Sequence, residues 1–342
     1  MRRSYNGRLS IGTHLRAFVL HQPCVAVATR APTGPRGRCD TDDVLESAVS
    51  PVPEGVRPDQ WDGLASYLAD GGLVALTGAG LSTESGLPSY RDARGVRRVQ
   101  PMTVSELRAS HEARQRYWAR SYVGWPRFAA ARPNDGHRAV ARLLAAGTLT
   151  SVITQNVDGL HQAAGASEVL ELHGNLERVV CMACSSTHRR DDMDDWLRDA
   201  NPGFDRAIGG AVRPDGDVAL PEAIVRAFVT ADCPVCGSDL LKPDVVMFGE
   251  SVPKPLVEQC FGLVEEASAL LVLGSSLAVM SGYRFVRRAA RIGVPVIVIN
   301  DGWTRGDGET DLKIEAPLGS TLTALADRLG APAVGAPGAQ RA

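Results

Sequence analysis

Short apolar runs, each cut off by glycines or polar residues, recur along most of this chain. Residues 73–76, 150–154, 169–172, 245–248, 270–274 and 294–300 are apolar runs, not alternating ones, as in strands buried on both faces. Between them, 137–146, 256–267 and 282–292 carry apolar residues three and four apart, which predicts amphipathic helices. Residues 320–329 predict a closing helix with Leu322, Leu325, Ala326 and Leu329 facing inward. This alternation predicts an α/β fold, a Rossmann-like doubly wound parallel sheet with helices on both faces. Two stretches break the rhythm. Residues 94–134 are rich in arginine and aromatics without a strand and read as a helical insertion, and 178–242 contain two cysteine pairs. Both predict a smaller inserted module beside the large sheet.

The first strand ends in the most informative loop. Gly78-Ala79-Gly80 lets the backbone turn tightly and approach a ligand, since neither glycine has a Cβ. A turn from strand into helix would aim N–H groups at a phosphate. By itself this is also a common tight turn. The polar run that follows, Ser82, Thr83, Glu84, Ser85, Gly86, Pro88 and Arg91-Asp92, is longer than a turn requires and favours a dinucleotide site. Arg91, a permanent cation with a fork of donors, is the candidate pyrophosphate or ribose partner. Gln155, Asn156 and Asp158 directly follow another predicted strand, and their side chains need partners that a ligand or neighbouring loops could supply. His173 follows a third. Its ring titrates near neutrality, which suits a general base, although a lone histidine is also commonly structural.

Cys181-x-x-Cys184 and Cys233-x-x-Cys236 carry the spacing of two metal knuckles, four thiolates for one tetrahedral zinc with no place for water, hence a structural site. The alternatives are two disulfides or a redox pair. The lack of a recognisable secretory signal and the presence of other thiols disfavour disulfides. Cys24, Cys39 and Cys260 have no matching partner and read as ordinary thiols; His188 reads as a surface residue beside the first pair.

Four segments together resemble the sirtuins, the NAD-dependent protein deacylases. They are 73–92 (LVALTGAGLSTESGLPSYRD), 154–161 (TQNVDGLH), 171–174 (ELHG) and 274–277 (GSSL), in the family's order, and the resemblance spans about residues 60–328. The blocks 114–128, 214–218 (PDGDV) and 281–285 (SGYRF) look most like the class II branch, which includes a mitochondrial sirtuin with lipoamidase, weak deacetylase and ADP-ribosyltransferase activities. The resemblance implies that NAD is consumed as co-substrate and contacted by Gly78, Ala79, Gly80, Ser82, Thr83, Glu84, Pro88, Tyr90, Arg91, Gln155, Asn156, Val157 and Asp158. The same inference covers Gly274, Ser275 and Ser276 in a second phosphate and ribose turn, Asn300, Asp301 and Gly302 at the adenosine, and Leu318 at the adenine. It makes His173 the catalytic base, with Asn156 and Asp158 at the nicotinamide and its ribose. Val246 and Phe248 would line an acyl-lysine tunnel, and the backbone at Gly249 and Glu250 would pair with an extended peptide. The implied reaction releases nicotinamide and moves the acyl group from lysine to ADP-ribose.

Tyr90, Asp92 and Gly95-Val96-Arg97 depart from the family's pattern over the reacting ribose and leave the acyl preference open. Tyr117-x-x-Arg120 resembles the pair that selects succinyl groups in the desuccinylase branch. Its distance from Pro133-Asn134 differs, so that role is not carried over.

Composition adds limits. A net charge of −2 over 342 residues implies neither nucleic acid nor an anionic membrane as partner, and no apolar run approaches a membrane span. The arginine bias, with only Lys242, Lys254 and Lys313 as lysines, suggests a GC-rich bacterial genome and so a cytoplasmic enzyme. Residues 1–39 carry seven arginines and no acid, which fits an extension or a misassigned start better than a mitochondrial transit peptide. The expected organisation is an extension and linker over 1–58, a catalytic domain over 59–330 and a tail over 331–342. Mono-ADP-ribosyl transfer to protein from the same pocket is the competing activity. A zinc-ribbon nucleic-acid or scaffold protein is the competing class, opposed by Asp191, Asp192, Asp194 and Asp195 beside the cysteines. The sequence leaves the oligomeric state open.

Overall fold

The computed structural model describes residues 51–334 except 93, 209 and 211. The arginine-rich start, Cys24 and Cys39, and the tail beyond residue 334 lie outside the described residues.

Six parallel strands form the main sheet: β1 (Leu73–Thr77), β2 (Leu149–Thr154), β3 (Val169–Glu171), β7 (Leu270–Leu273), β8 (Val296–Ile299) and β9 (Leu312–Ile314). Their order is β3-β2-β1-β7-β8-β9, so the chain reverses its direction of travel between β1 and β7. Loops after these two central strands therefore meet at one crevice, where open α/β sheets bind ligands. Every residue of β1, β7 and β8 is buried, which explains why they read as continuous apolar runs.

Helices α1 (Pro58–Ala69), α4 (Asp135–Ala145) and α10 (Leu318–Arg328) contribute to one apolar cluster against the sheet. Helices α8 (Lys254–Glu266) and α9 (Met280–Ile292) contribute to the other. The short α5 (Leu160–Ala163) follows β2. The inward faces are as expected: Leu322, Leu325 and Ala326 are buried, and Leu329 packs on the same cluster.

The smaller module is a three-stranded antiparallel sheet, β5 (Thr187–Arg189), β4 (Gly174–Cys181) and β6 (Leu241–Val245), in that order. It packs with α2 (Val104–Ala109), α3 (His111–Ala129), α6 (Arg190–Ala200) and α7 (Glu222–Ala227) around a separate cluster. Within 94–134, α2 and α3 are the helices, and the residues before Val104 are not helical. The strand expected at 245–248 is displaced: β6 ends at Val245, and Val246–Phe248 continue as a loop whose carbonyl at Phe248 accepts a hydrogen bond from Val104 N (3.0 Å).

The loop after β1 brings a second correction. It enters a seven-residue 3-10 turn, Ala79–Ser85, and not an α-helix. Gly86, with φ at +83°, ends the turn, so no long helix dipole points at the crevice.

Candidate active site

The two central loops lock together through glycine. A Cβ on Gly78 would lie 2.8 Å from the Ser275 Cβ, and one on Gly80 would lie 2.8 Å from the Gly274 carbonyl oxygen. Gly274 itself has φ at +61°. The absent side chains thus permit one backbone to approach the other, with Gly80 N donating to Gly274 O at 2.8 Å. The close approach expected toward a ligand is, in the first instance, one between the two turns.

A cavity of about 1020 Å³ opens at these strand ends. Its wall contains Gly78, Ala79, Gly80, Ser82, Thr83, Glu84, Pro88, Tyr90 and Arg91 from the first loop and Gln155, Asn156, Val157 and Asp158 from the second. Gly274, Ser275, Ser276, Asn300, Asp301 and Leu318 line it from the far half of the sheet, and His173, Val246, Phe248, Gly249 and Glu250 from the module side. Of the expected site residues of this crevice, only Gly302 is not part of the wall; its carbonyl accepts from Asn300 Nδ2 at 3.2 Å, and Trp303 lines the cavity instead.

Polar side chains on the floor hold one another. Ser82 donates to Asp158 Oδ2 at 2.7 Å, and Asn156 Nδ2 donates to Ser82 Oγ at 3.0 Å and to the Gly78 carbonyl at 3.1 Å. Burial pushes the Asp158 carboxyl up, against the hydrogen bonds from Leu160 N and Ser82. Gln155 Nε2 donates to Ser275 Oγ at 2.8 Å, which ties the β2 loop to the β7 loop. Glu84 is committed as well, because its Oε1 accepts from Gly319 N, in the first turn of α10, at 3.0 Å. Arg91 donates from Nη1 to the Gly95 carbonyl at 2.6 Å and so braces its own loop while lining the cavity.

His173 has a defined orientation. Its Nδ1 stands 2.8 Å from the Gln155 carbonyl, which can only accept, so Nδ1 carries the proton. Nε2 then offers a lone pair, 2.8 Å from the Ser281 hydroxyl. Burial lowers the ring's pKa, opposed by the hydrogen bond to Gln155, and keeps the imidazole neutral at pH 7. A neutral, oriented imidazole facing a polar cavity can take a proton from a bound hydroxyl.

Sequence reasoning passed over a second polar layer behind the floor. Asn134 caps α4, accepting from His137 N at 3.1 Å and donating to the Leu81 carbonyl at 2.7 Å. The His137 ring lies 5.1 Å from the ring of His161, whose Nε2 meets Thr77 Oγ1 at 2.9 Å. The signal was present as an Asn-x-x-His capping pattern at the start of a periodic segment. Ser281 was visible only as part of a family-like block.

The four cysteines converge outside the cavity. Their sulfurs lie within 4.8 Å of one another, with Cys181 to Cys236 at 3.7 Å and Cys184 to Cys233 at 3.8 Å. Sulfurs about 2.3 Å from a tetrahedral zinc are separated by about 3.8 Å, so the set fits that ion. The knuckles share one backbone pattern: Ser185 N donates to Cys181 O and Gly237 N to Cys233 O, both at 2.8 Å. His188 is half-buried rather than a free surface residue, bonded to Ser186 Oγ at 2.9 Å with its ring on Trp196. Cys260 is a core thiol whose pKa burial pushes up to about 12.

The crevice also fits its expected occupant by a spare polar group: among the described residues, the half-buried Ser276 hydroxyl makes no side-chain hydrogen bond and lines the wall.

Residues 78–281 match the Sir2 family. A "NAD-dependent protein deacetylase 1" of Streptomyces coelicolor is 53% identical over 268 residues, 78% of this chain and 89% of that protein. A "NAD-dependent protein deacetylase" of Xanthomonas axonopodis pv. citri is 49% identical over 254 residues, 74% of this chain and 86% of its own length. Among solved structures, one described as "Sir2-p53 peptide-NAD+" superimposes with a TM-score of 0.61 at 29% identity, covering 78% of this chain and 95% of that one. Another, described as "Structural Basis for the Mechanism and Regulation of Sir2 Enzymes", gives 0.63 at 29% identity, covering 80% and 99%.

Proposed function

The chain belongs to the Sir2 family, and we propose that it removes acyl groups from protein lysines while consuming NAD. The observation that carries this reading is the meeting of the β1, β2 and β7 loops with a neutral, oriented His173 in a single cavity. The relatives named as NAD-dependent protein deacetylases support the reaction class, and solved neighbours described with acetylated and propionylated peptides support an acyl-lysine peptide as partner.

NAD supplies an activated ribose whose bond to nicotinamide can break. In this reading the loops of Gly78–Arg91 and Gly274–Ser276 hold its phosphates and riboses, with Asn300, Asp301 and Leu318 at the adenosine end. Asn156 and Asp158, fixed by Ser82, hold the nicotinamide half. His173 takes a proton at Nε2 from a ribose hydroxyl, and the Gln155 carbonyl steadies the imidazolium through Nδ1–H. Val246 and Phe248 guide the acyl-lysine. Peptide pairing falls on Gly249, since the Glu250 N–H already closes a turn on Met247 O at 2.9 Å. Cys181, Cys184, Cys233 and Cys236 hold one structural zinc. The catalytic domain is read over 59–330, with Pro58 opening α1, Val56 and Ala331 packed into its core at the borders, and the rest of 1–58 and 331–342 as extensions. No helix among the described residues is long and apolar enough to cross a membrane.

His173→Tyr tests the base. It is expected to keep the circular dichroism spectrum and measurable NAD binding while deacylation falls by about 10²-fold or more. Retention of a tenth of the activity would remove His173 from that role.

A further inference from the structure

Beyond the tunnel wall the cavity runs on into the small module, and its far end is charged. Tyr90, whose ring meets Phe248 edge-on at 6.1 Å, lines it together with Tyr117, Phe128, Leu176, Pro214 and Asp215. Phe128 and Leu176 make this stretch apolar. Asp215 does not belong to that apolar wall. Its Oδ1 is buried without a hydrogen-bond partner, and it forms no ion pair among the described residues. Burial pushes its carboxyl up from the usual range. A buried carboxyl oxygen left without a donor is costly unless a ligand supplies one.

The turn that carries Asp215 is held rigidly in place. Arg213 N donates to Asp217 O at 2.8 Å and Gly216 N to Arg213 O at 2.9 Å. Gly216 has φ at +74°, and a Cβ on Gly124 of α3 would collide with the Gly216 carbonyl, so both glycines let the turn lie flush on the helix. The two arginines bonded to this turn are already engaged. Arg120 binds Asp217 at 3.0 Å and the Val218 carbonyl at 2.9 Å, and Arg213 stands 3.5 Å from Asp217. Arg120 does not line the cavity; Tyr117 from the same helix does. The end of the cavity thus presents one carboxyl oxygen, Asp215 Oδ1, without a donor, and Arg120 is already bonded to Asp217.

We propose that this extension is an acyl subsite in which Asp215 accepts a hydrogen bond from the distal end of the acyl chain. It would favour acyl groups longer than acetyl that carry a hydroxyl or amide donor, and disfavour those ending in a carboxylate. The inference rests on the deacylase reading and adds the chemical class of its substrate.

The test uses the full chain with NAD and one peptide sequence carrying butyryl-, 3-hydroxybutyryl- or succinyl-lysine, with kcat/KM read by mass spectrometry. Hydroxybutyryl is expected to exceed butyryl by about tenfold, with succinyl poorest. Asp215→Ala should bring the hydroxybutyryl-to-butyryl ratio close to one. Asp215→Asn, which keeps the shape and an acceptor, should retain part of that ratio and raise succinyl turnover. Turnover of all three peptides with a ratio near one, a wild-type preference for succinyl, or a ratio unmoved in both variants overturns the subsite alone. No turnover of any acyl peptide would overturn the deacylase reading as well.

Discussion

The six-stranded sheet and the three-stranded cysteine sheet keep their strands in place by different means. In the large sheet, β1, β7 and β8 are buried at every position, and apolar clusters cover both faces. In the module, β5 has exposed residues at both ends and β4 mixes buried with exposed positions. What its short strands lack in apolar burial is made up by charge and by metal. Arg190 is buried between Trp118 and Trp125, at 5.5 and 4.8 Å from the ring centres, and reaches Asp194 at 3.2 Å. Arg114 reaches Asp239 at 2.6 Å beside the cysteine loops. A small sheet cannot bury enough apolar area to stand alone, so cross-links that act at a point become decisive.

Removing the metal should therefore break the comparison most strongly. Structural zinc contributes on the order of 10 kcal/mol to small metal-held folds. Chelation, or Cys181→Ala with Cys236→Ala, is expected to release one zinc per chain and melt the module while the large sheet keeps much of its helical signal. Elemental analysis and circular dichroism check this; a zinc-free protein that melts as before would contradict it.

Acid should strike the large sheet through a different device. His137 and His161 sit behind the crevice, and burial pushes their pKa values down to about 3 and about 4, His161 also repelling a proton on His137. The unfolded chain binds protons at these positions below about pH 6.5, while the folded chain does not until pH falls to about 4 and then about 3. Their contribution is thus complete above about pH 6.5 and lost on acidification, at up to about 2.7 kcal/mol per pH unit while both are mismatched. Urea unfolding followed between pH 7 and 4.5 should show that slope, and His161→Gln should roughly halve it; an unchanged slope would sink the assignment.

Arg190→Ala is the smallest of the three, expected to cost about 3 kcal/mol because Asp194 keeps Arg206 as a second partner at 2.7 Å. Arg190→Met should cost less, since its stem keeps the contact with both tryptophans. Thermal melts of the zinc-loaded protein measure both, and an Arg190→Ala melt within error of wild type would contradict the role of the buried pair.

The same contrast governs what could be read in advance. Strands buried on both faces announce themselves as apolar runs, so the large sheet was legible nearly strand by strand. The edge strand β9, three residues with a lysine at its centre, was not. In the module, β4 begins at a glycine and carries Asn175, Glu177 and Arg178, and β6 contains Lys242 and Pro243. β4 and β6 pair with each other across a long stretch of sequence, and the edge position of β6 tolerates the proline. The same holds for the crevice. Loops that follow apolar strands, such as Gln155–Asp158 and Gly274–Ser276, stand out by their polarity. Asn134 and His137 are marked only as a helix cap, and Ser281 and Asp215 only as parts of family-like blocks; their place at the site comes from packing between elements.

The fate of the cofactor tests the central claim most directly. Purified protein is incubated with NAD and an acetyl-lysine peptide, and nicotinamide, NADH and free lysine are counted together. The account predicts one nicotinamide released per lysine unmasked, an acyl-ADP-ribose product, and no absorbance from reduced cofactor. Reduced cofactor, or nicotinamide release that labels protein with ADP-ribose while lysine stays acylated across a broad acyl panel, would contradict it.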